Sequence, residues 1–248
     1  MTLYSDLLIA QSVTNYWPLD ETSGATAVAA VGGVNLAYSG TVTQNALGAV
    51  NTAYRFTGST ASALIGASNA SMAFDSTIGL SFSLIIKPNA TMSGSGAWGI
   101  LSRRSNSSAN RTFSLFMQGS TGGTINVDVG NTQIRWDTGF VPLINEYYHV
   151  AFVWRPSGGE FRFYVNGELY TNSTGRAPES QLANSPFYIA ALGAATPSQL
   201  FPGVIDEVAV WNNKSLTDAE IRAQYHAAFP ITKVFNGTDW KYAERRVL

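Results

Sequence analysis

The chain has 248 residues, of which 12% are charged, and its 15 basic and 16 acidic residues leave a formal net charge of -1. Such a chain has no global positive field, so we expect neither nucleic acid nor an anionic membrane surface as a partner. The lack of cysteine excludes disulfides, thiolate catalysis and cysteine metal sites. No apolar run approaches the roughly 18 residues of a membrane span, which predicts no membrane insertion, and the first residues lack the pattern of a classical secretion signal.

The 23 glycines and the abundance of Ser, Thr and Asn favour a turn-rich β protein. In chain order, the patterning of apolar side chains predicts strands at residues 15–19, 53–57, 80–87, 99–102, 112–118, 124–129, 133–136, 147–155, 160–165, 186–189 and 203–210. Helix patterns are confined to residues 5–12 and 217–228, the second with Thr217 as a capping residue. Strands at this spacing, without strand–helix alternation or an internal repeat, predict one all-β antiparallel sandwich over residues 1–230.

The strand predicted at residues 147–155 is apolar on both of its faces. Phe152 and Trp154 alternate with Ala151 and Val153, so neither face is polar. A strand of this kind is expected in the middle of a layered structure. In the following strand the alternation of Arg162 and Tyr164 with apolar residues predicts one face turned outward.

Two acidic pairs stand at opposite ends of the chain. Asp206 and Glu207 interrupt an apolar strand, and the opening run YWPLDETSG ends in Asp20 and Glu21. A buried carboxylate needs hydrogen-bond or ion-pair partners, so these groups are expected to accept hydrogen bonds from loop amides or to pair with an arginine such as Arg55. The matching patterns predict that the two ends of the fold meet.

Six segments then carry a resemblance to a family. YSDLLIAQSVTNYWPLDETSG, YRFTGSTASALI, LSFSLIIKP, YYHVAFVW, FRFYVNGELY and FPGVIDEVAVWNNKSLTDAEIRAQY follow in the order seen in laminin-G-like, concanavalin-A-like jelly-roll domains. The resemblance implies two curved antiparallel sheets with adjacent first and last strands, and one short C-terminal helix. It also implies, as the alternative to hydrogen bonding alone, a structural Ca²⁺ shared by Asp20 and Asp206. One departure is AVAAVGGVNL, which replaces the Asp- and Asn-Gly-rich segment usual in the family.

The sequence predicts no enzyme activity. A retaining glycosidase of this fold would need two nearby carboxylates, normally on a Glu-x-Asp-x-x-Glu strand, and the chain has none; Glu160 stands alone at a turn. His149 lies in an apolar strand and His226 ends a helix, which favours packed or partly exposed roles over base or ligand roles.

Trp98 and Trp136 are the candidates for sugar binding. They are flanked by small or polar residues in SGSGAWG and QIRWDTG, whereas Trp17, Trp154 and Trp211 lie in apolar strands. An exposed indole can stack on a sugar ring. The alternative for both is burial, which is the usual state of tryptophan.

The end of the chain, residues 231–248, is expected to be a short attachment segment. KVFNGTDWKYAERRVL resembles the NGTxW units that end tail and other virion proteins of bacteriophages, particularly those infecting actinobacteria. The apolar pairs on either side of Asn236-Gly237 predict a small hairpin, and the alternative is a disordered terminus.

Together, the jelly-roll resemblance and the NGTxW resemblance imply a non-enzymatic virion structural protein, either a decoration protein or a minor tail component. Such a protein would be assembled in the host cytoplasm. Its partners would be other virion proteins, and it would act as a homo-oligomer or in multicopy display. One alternative is a host-attachment adhesin whose weak contacts with host cell-wall glycan are strengthened by multivalency. A second alternative is a lectin-like module of a bacterial surface protein.

Overall fold

The computed structural model describes residues 2–32, 34–67, 70–104, 111–130, 134–180, 185–193, 197–230, 232–235 and 240–243. Its strands form two eight-stranded sheets and one two-stranded hairpin. Sheet 1 contains β1 (Asn15–Trp17), β4 (Val42–Leu47), β5 (Thr52–Thr57), β7 (Leu80–Pro88), β12 (Tyr148–Arg155), β13 (Glu160–Val165), β14 (Glu168–Ser173) and β16 (Pro202–Trp211). Sheet 2 contains β2 (Thr26–Ala27), β3 (Leu36–Ser39), β6 (Ala63–Gly66), β8 (Ala97–Arg104), β9 (Arg111–Gln118), β10 (Thr124–Val129), β11 (Ile134–Asp137) and β15 (Phe187–Ile189).

The two sheets are antiparallel and the chain crosses repeatedly between them. Sheet 1 has the order β14-β13-β12-β7-β16-β5-β4, with β1 paired to β16, and sheet 2 has the order β11-β10-β9-β8-β15-β6-β3-β2. Neighbouring strands of each sheet are often distant in sequence, as in a jelly roll. The predicted all-β, two-sheet antiparallel sandwich is confirmed.

Aromatic side chains fill the space between the sheets. Phe82 of sheet 1 stacks on Phe152 at 5.1 Å between ring centroids, and on Phe113 of sheet 2 at 5.5 Å. Trp17 stacks on Phe187 at 4.8 Å, again from one sheet to the other. All of these rings are buried, and their contacts stabilise the packing of sheet 1 on sheet 2.

A second core lies on the outer face of sheet 1, under helices α1 (Leu3–Ala10) and α2 (Asp218–Ala228). Phe152 faces the inter-sheet core, while Ala151 and Val153 pack with Leu8 of α1 and Ile221 of α2. This arrangement confirms the central position predicted for the strand that is apolar on both faces.

The prediction that one face of β13 turns outward is wrong at Tyr164, because this side chain is fully buried. Helix α2 covers this face, and the Tyr164 hydroxyl donates to Asp218 Oδ1 at 2.8 Å. Alternation identified the face correctly, but a helix distant in sequence covers it.

Each predicted strand corresponds to an observed one, with shifts at the ends; of the strand predicted at residues 133–136, residue 133 lies outside the described residues. Thr217 caps α2 in a capping box with Glu220. The helix predicted at residues 5–12 occurs at Leu3–Ala10, with Thr2 as its cap. Strands β2, β3, β4, β6 and β14 were not predicted.

Two further strands, β17 (Thr232–Phe235) and β18 (Trp240–Ala243), pair antiparallel as the predicted C-terminal hairpin. Its predicted turn, Asn236-Gly237, lies outside the described residues. Among the described residues, neither helix has the length and apolar character that crossing a membrane would require.

Candidate functional site

The two ends of the fold meet as predicted. β1 pairs with β16, placing Tyr16 opposite Ala209. A bulge follows Asp206 in the pairing of β16 with β7, and Glu207 adopts a positive φ of 55°. Ile205 and Val208 both face the inter-sheet core. The extra residue of the bulge therefore lets both acidic side chains between them turn to the helix-covered face of sheet 1.

Hydrogen bonds from one turn hold Asp206 and Asp20. Asp206 Oδ2 accepts from the backbone N–H groups of Ala49 and Val50 at 3.0 and 3.2 Å. Asp20 accepts from the Thr52 N–H at 3.2 Å and from Asn51 Nδ2 at 3.1 Å. Both carboxylates thus fasten the connection between β4 and β5, in agreement with the expected role of loop amides.

Glu207 lies deeper, against the N-terminal helix. Its Oε2 accepts a short hydrogen bond from the Tyr16 hydroxyl. Burial, followed by the adjacent negative charge of Asp206, raises the pKa of Glu207; burial is also the main cause of the raised pKa of Asp206. Burial and the nearby Glu207 raise the pKa of Tyr4 of α1. Burial beneath α1 thus disfavours the charged form of both acids.

These residues fit hydrogen bonding better than calcium. Asp206 Oδ2 and both carboxylate oxygens of Asp20 already accept hydrogen bonds from N–H groups. Calcium takes about six to eight oxygen ligands. Within the described ranges, no group of three or more His, Cys, Asp or Glu side chains could hold a metal ion. Calcium at Asp20 and Asp206 stays a prediction.

The two candidate tryptophans belong to sheet 2 but do not form a surface platform together. Trp136 is only 7% exposed, and its ring lies 6.1 Å from that of Phe161 in the core. Burial, the alternative for this residue, is what the structure shows, so its ring has no open face for stacking. Trp98 is half-buried and packs against the same core. A sugar contact by Trp98 stays a prediction.

Sheet 2 carries a cavity on its outer face that the sequence did not reveal. In β9, Leu115 and Met117 face the core, which turns Phe116 and Gln118 to the opposite side. The cavity there has a volume of about 300 Å³ and is lined by Ser95, Ala97, Arg104, Phe116, Gln118, Arg135, Leu192 and Gln199. We call it the outer-face cavity.

One wall of the outer-face cavity comes from the chain that follows β15. The Gly99 N–H donates to the Gln199 carbonyl at 2.6 Å, and the Leu192 N–H donates to the Ser198 carbonyl at 3.1 Å. A Cβ at Gly99 would lie 2.0 Å from the Leu192 nitrogen. Glycine is therefore required for this wall to approach β8 so closely.

Arg135 places its guanidinium group in the lining of the outer-face cavity. Arg135 Nε and Nη2 donate to the fully buried Asp128 carboxylate at 3.1 and 3.4 Å, while the Arg135 side chain remains 47% exposed. The guanidinium carbon lies 4.9 Å from the centre of the Phe116 ring. Gln118 donates to the Gly96 carbonyl at 3.0 Å. These contacts orient two polar side chains before any ligand binds.

The described lining residues of the outer-face cavity offer hydroxyl, amide and guanidinium groups. None of those residues is a carboxylate or a histidine. His149 is buried elsewhere, under α2, where its Nε2 lies 3.3 Å from Gln224 Oε1 and burial lowers its pKa to about 4. His226 is exposed on α2.

Comparison with protein families gives a match over residues 57–222 to the Laminin_G_3 model, which is described as the concanavalin A-like lectin/glucanases superfamily. The chain belongs to this superfamily. The match covers strands of both sheets of this concanavalin A-like domain and ends within α2. A search of curated proteins found no match.

Solved structures share the fold at low sequence identity. The botulinum neurotoxin serotype D ligand-binding domain, solved with N-acetylneuraminic acid, is 14% identical with a TM-score of 0.68, covering 92% of this chain and 54% of that one. The binding domain of Paraclostridial Mosquitocidal Protein 1 is 14% identical with a TM-score of 0.67, covering 90% and 53%. Trypanosoma rangeli sialidase with 2,3-difluorosialic acid is 14% identical with a TM-score of 0.61, covering 87% and 32%. The concanavalin A-like chain thus spans about half of these toxin domains and a third of the sialidase.

Proposed function

We propose that this concanavalin A-like chain is a non-enzymatic carbohydrate-binding domain displayed on a bacteriophage virion. The outer-face cavity carries the binding part of the proposal. Its lining combines amide, hydroxyl and guanidinium groups. Sugar hydroxyls form hydrogen bonds with side-chain groups of these kinds, and a few such groups at fixed positions orient a small ligand.

The comparisons support a sugar as the ligand. The botulinum serotype D domain was solved with N-acetylneuraminic acid, and the sialidase with a fluorinated sialic acid. About half of the first and about a third of the second share the two-sheet fold of this chain. The fold therefore occurs in proteins that hold sugars, and the outer-face cavity supplies the polar site that such a role needs in this chain.

The lining of the cavity favours binding over hydrolysis. A glycosidase of the usual kind positions two carboxyl groups on either side of the scissile bond, about 5 to 10 Å apart. The described lining residues include no carboxyl group, and the buried Asp128 is engaged by Arg135. A sugar held there would meet hydrogen-bond donors but no acid and nucleophile pair.

The virion part of the proposal comes from the C-terminal hairpin and its resemblance to NGTxW tail units. The hairpin β17–β18 follows the last helix of the sandwich, so it could attach the domain to other virion proteins in many copies. Multicopy display would strengthen weak single-site sugar contacts. An adhesin for host cell-wall glycan is compatible with this role, and a lectin-like module of a bacterial surface protein is the alternative.

A glycan array tests the binding role. The purified chain, clustered on a multivalent carrier, should be retained on a subset of glycans, and Gln118→Ala should reduce that retention. Asn172→Ala is the matched control, because its side chain binds Glu160 on sheet 1, away from the cavity. Retention of no glycan, or equal loss in both variants, would refute the proposal. Virion display is tested separately, by mass spectrometry of purified particles.

A further inference from the structure

The charges around the outer-face cavity narrow the class of sugar. Arg104 and Arg135 both line the cavity, and the carboxylate in contact with Arg135 is the fully buried Asp128. The described lining residues thus include two guanidinium groups and no carboxylate. The whole chain, by contrast, has a formal net charge of -1. Cationic side chains are therefore concentrated in the lining of this cavity.

Arg135 is held in a geometry suited to an anion. Its contacts with Asp128 use the Nε and Nη2 positions, and its guanidinium lies over the Phe116 ring. A guanidinium carries five N–H donors in one plane, so donors beyond these two contacts remain for a second acceptor. With 47% of its side chain exposed, Arg135 can meet a ligand from solvent without losing its anchor. A planar carboxylate matches such a donor set.

The size of the cavity and its neutral groups limit the rest of the ligand. A volume of about 300 Å³ is at the small end of ligand pockets, which suits one sugar ring rather than an extended chain. Ser95, Gln118 and Gln199 offer hydroxyl and amide groups for the ring hydroxyls. The lining of the cavity thus contains both cationic arginine side chains and neutral polar side chains.

We propose that the outer-face cavity binds a single sugar residue bearing a carboxylate, with Arg135 as the group that recognises the carboxylate and Arg104 as a supporting cation. The inference rests on the proposed carbohydrate-binding function and specifies its ligand. Neutral sugars of the same size would bind more weakly because they leave the cationic side of the cavity without an anionic partner.

Calorimetric titration of the full chain with four probes tests the inference. N-acetylneuraminic acid and glucuronic acid should bind more tightly than the methyl ester of N-acetylneuraminic acid and than glucose. We expect a difference of about 10- to 100-fold, the range of a charge-assisted hydrogen bond. Added salt should weaken acid-sugar binding more than neutral-sugar binding.

Two variants assign the effect to the cavity. Arg135→Gln should abolish the preference for the acid over its ester, and Arg135→Lys should retain part of it. Arg222→Gln is the matched control, since Arg222 is a half-exposed arginine paired with Glu168 outside the cavity. The ester comparison on the unaltered chain still decides the question if Arg135→Gln fails to fold.

The outcomes separate the two proposals. Equal binding of acid and ester would overturn the carboxylate inference and leave carbohydrate binding intact. If all four sugars fail to bind and the glycan array is also empty, carbohydrate binding itself is refuted. A preference for the acid that survives in a folded Arg135→Gln variant would place the anion site elsewhere and contradict the inference.

Discussion

Replacing Asp206 with alanine should destabilise the fold by removing the acceptor that holds the turn between β4 and β5. In the native chain Asp206 Oδ2 accepts from the Ala49 and Val50 N–H groups, the latter contact being buried. An unsatisfied buried donor costs roughly 1–3 kcal/mol, and the part-buried Ala49 group can regain a water. Removal of a buried ionisable group offsets part of the cost. We therefore expect a net loss of about 1–3 kcal/mol in the free energy of unfolding.

Urea unfolding at pH 7, followed by tryptophan fluorescence, measures this loss. For a chain of this size it corresponds to a fall of about 2–12 °C in Tm. Asp206→Asn is the matched variant, because its side-chain carbonyl can still accept both N–H groups. The asparagine variant should therefore lose less stability than the alanine variant at pH 7. If Asp206→Ala unfolds at the native urea concentration, the hydrogen-bond account of this residue is wrong.

Three further predictions concern pH, metal and packing. The pKa of Glu207 is raised in the folded state, so this residue contributes stability that is complete below its unfolded pKa and is lost as pH rises through its folded pKa. Glu207→Gln should therefore flatten the decline in Tm between pH 5 and 9. An unchanged slope would contradict this prediction. If hydrogen bonds alone hold Asp20 and Asp206, millimolar Ca²⁺ and EDTA should give the same Tm, whereas a calcium-dependent rise would support the metal alternative. Trp136→Ala should lower the free energy of unfolding by about 3–5 kcal/mol, as expected for a core tryptophan, and a near-native value would show that the ring is not packed in the core.

Sequence patterns identified the strands whose periodicity reflects burial. β12 and β16 are buried on both faces, because one face meets sheet 2 and the other lies beneath the helices. The matching runs at residues 16–24 and 201–211 indicated that β1 and β16 would pair, and they do. In these places local pattern and tertiary packing agree, so the pattern is sufficient.

The strands that the sequence did not predict lie where the local pattern of apolar residues does not reflect burial. β4 and β14 are at the two ends of the strand order in sheet 1, and the alternation of β14 is hidden because both its faces are largely exposed. β6 has four residues, two of them Ala63 and Gly66, and gives no clear period. Edge position and small side chains thus remove the signal from which strands are predicted.

The outer-face cavity could not be predicted because its residues come from five separate parts of the chain. Strand β10, TINVDV, does alternate: Ile125 and Val127 face the core, and Asn126 and Asp128 lie on the opposite face. Nothing in the sequence showed that the chain around Leu192 and Gln199 returns over that face. The polar flanking residues of Trp136 predicted an exposed ring instead. Trp136 lies opposite Val127 of β10, and both side chains face the core.

The most direct test of the account is the crystal structure of the chain with N-acetylneuraminic acid at a concentration that saturates binding. We expect density for one sugar in the outer-face cavity, with its carboxylate within hydrogen-bond distance of the Arg135 guanidinium and its ring hydroxyls near Gln118 or Gln199. A sugar bound beside Asp20 and Glu21, or an empty cavity at saturation, would contradict the account.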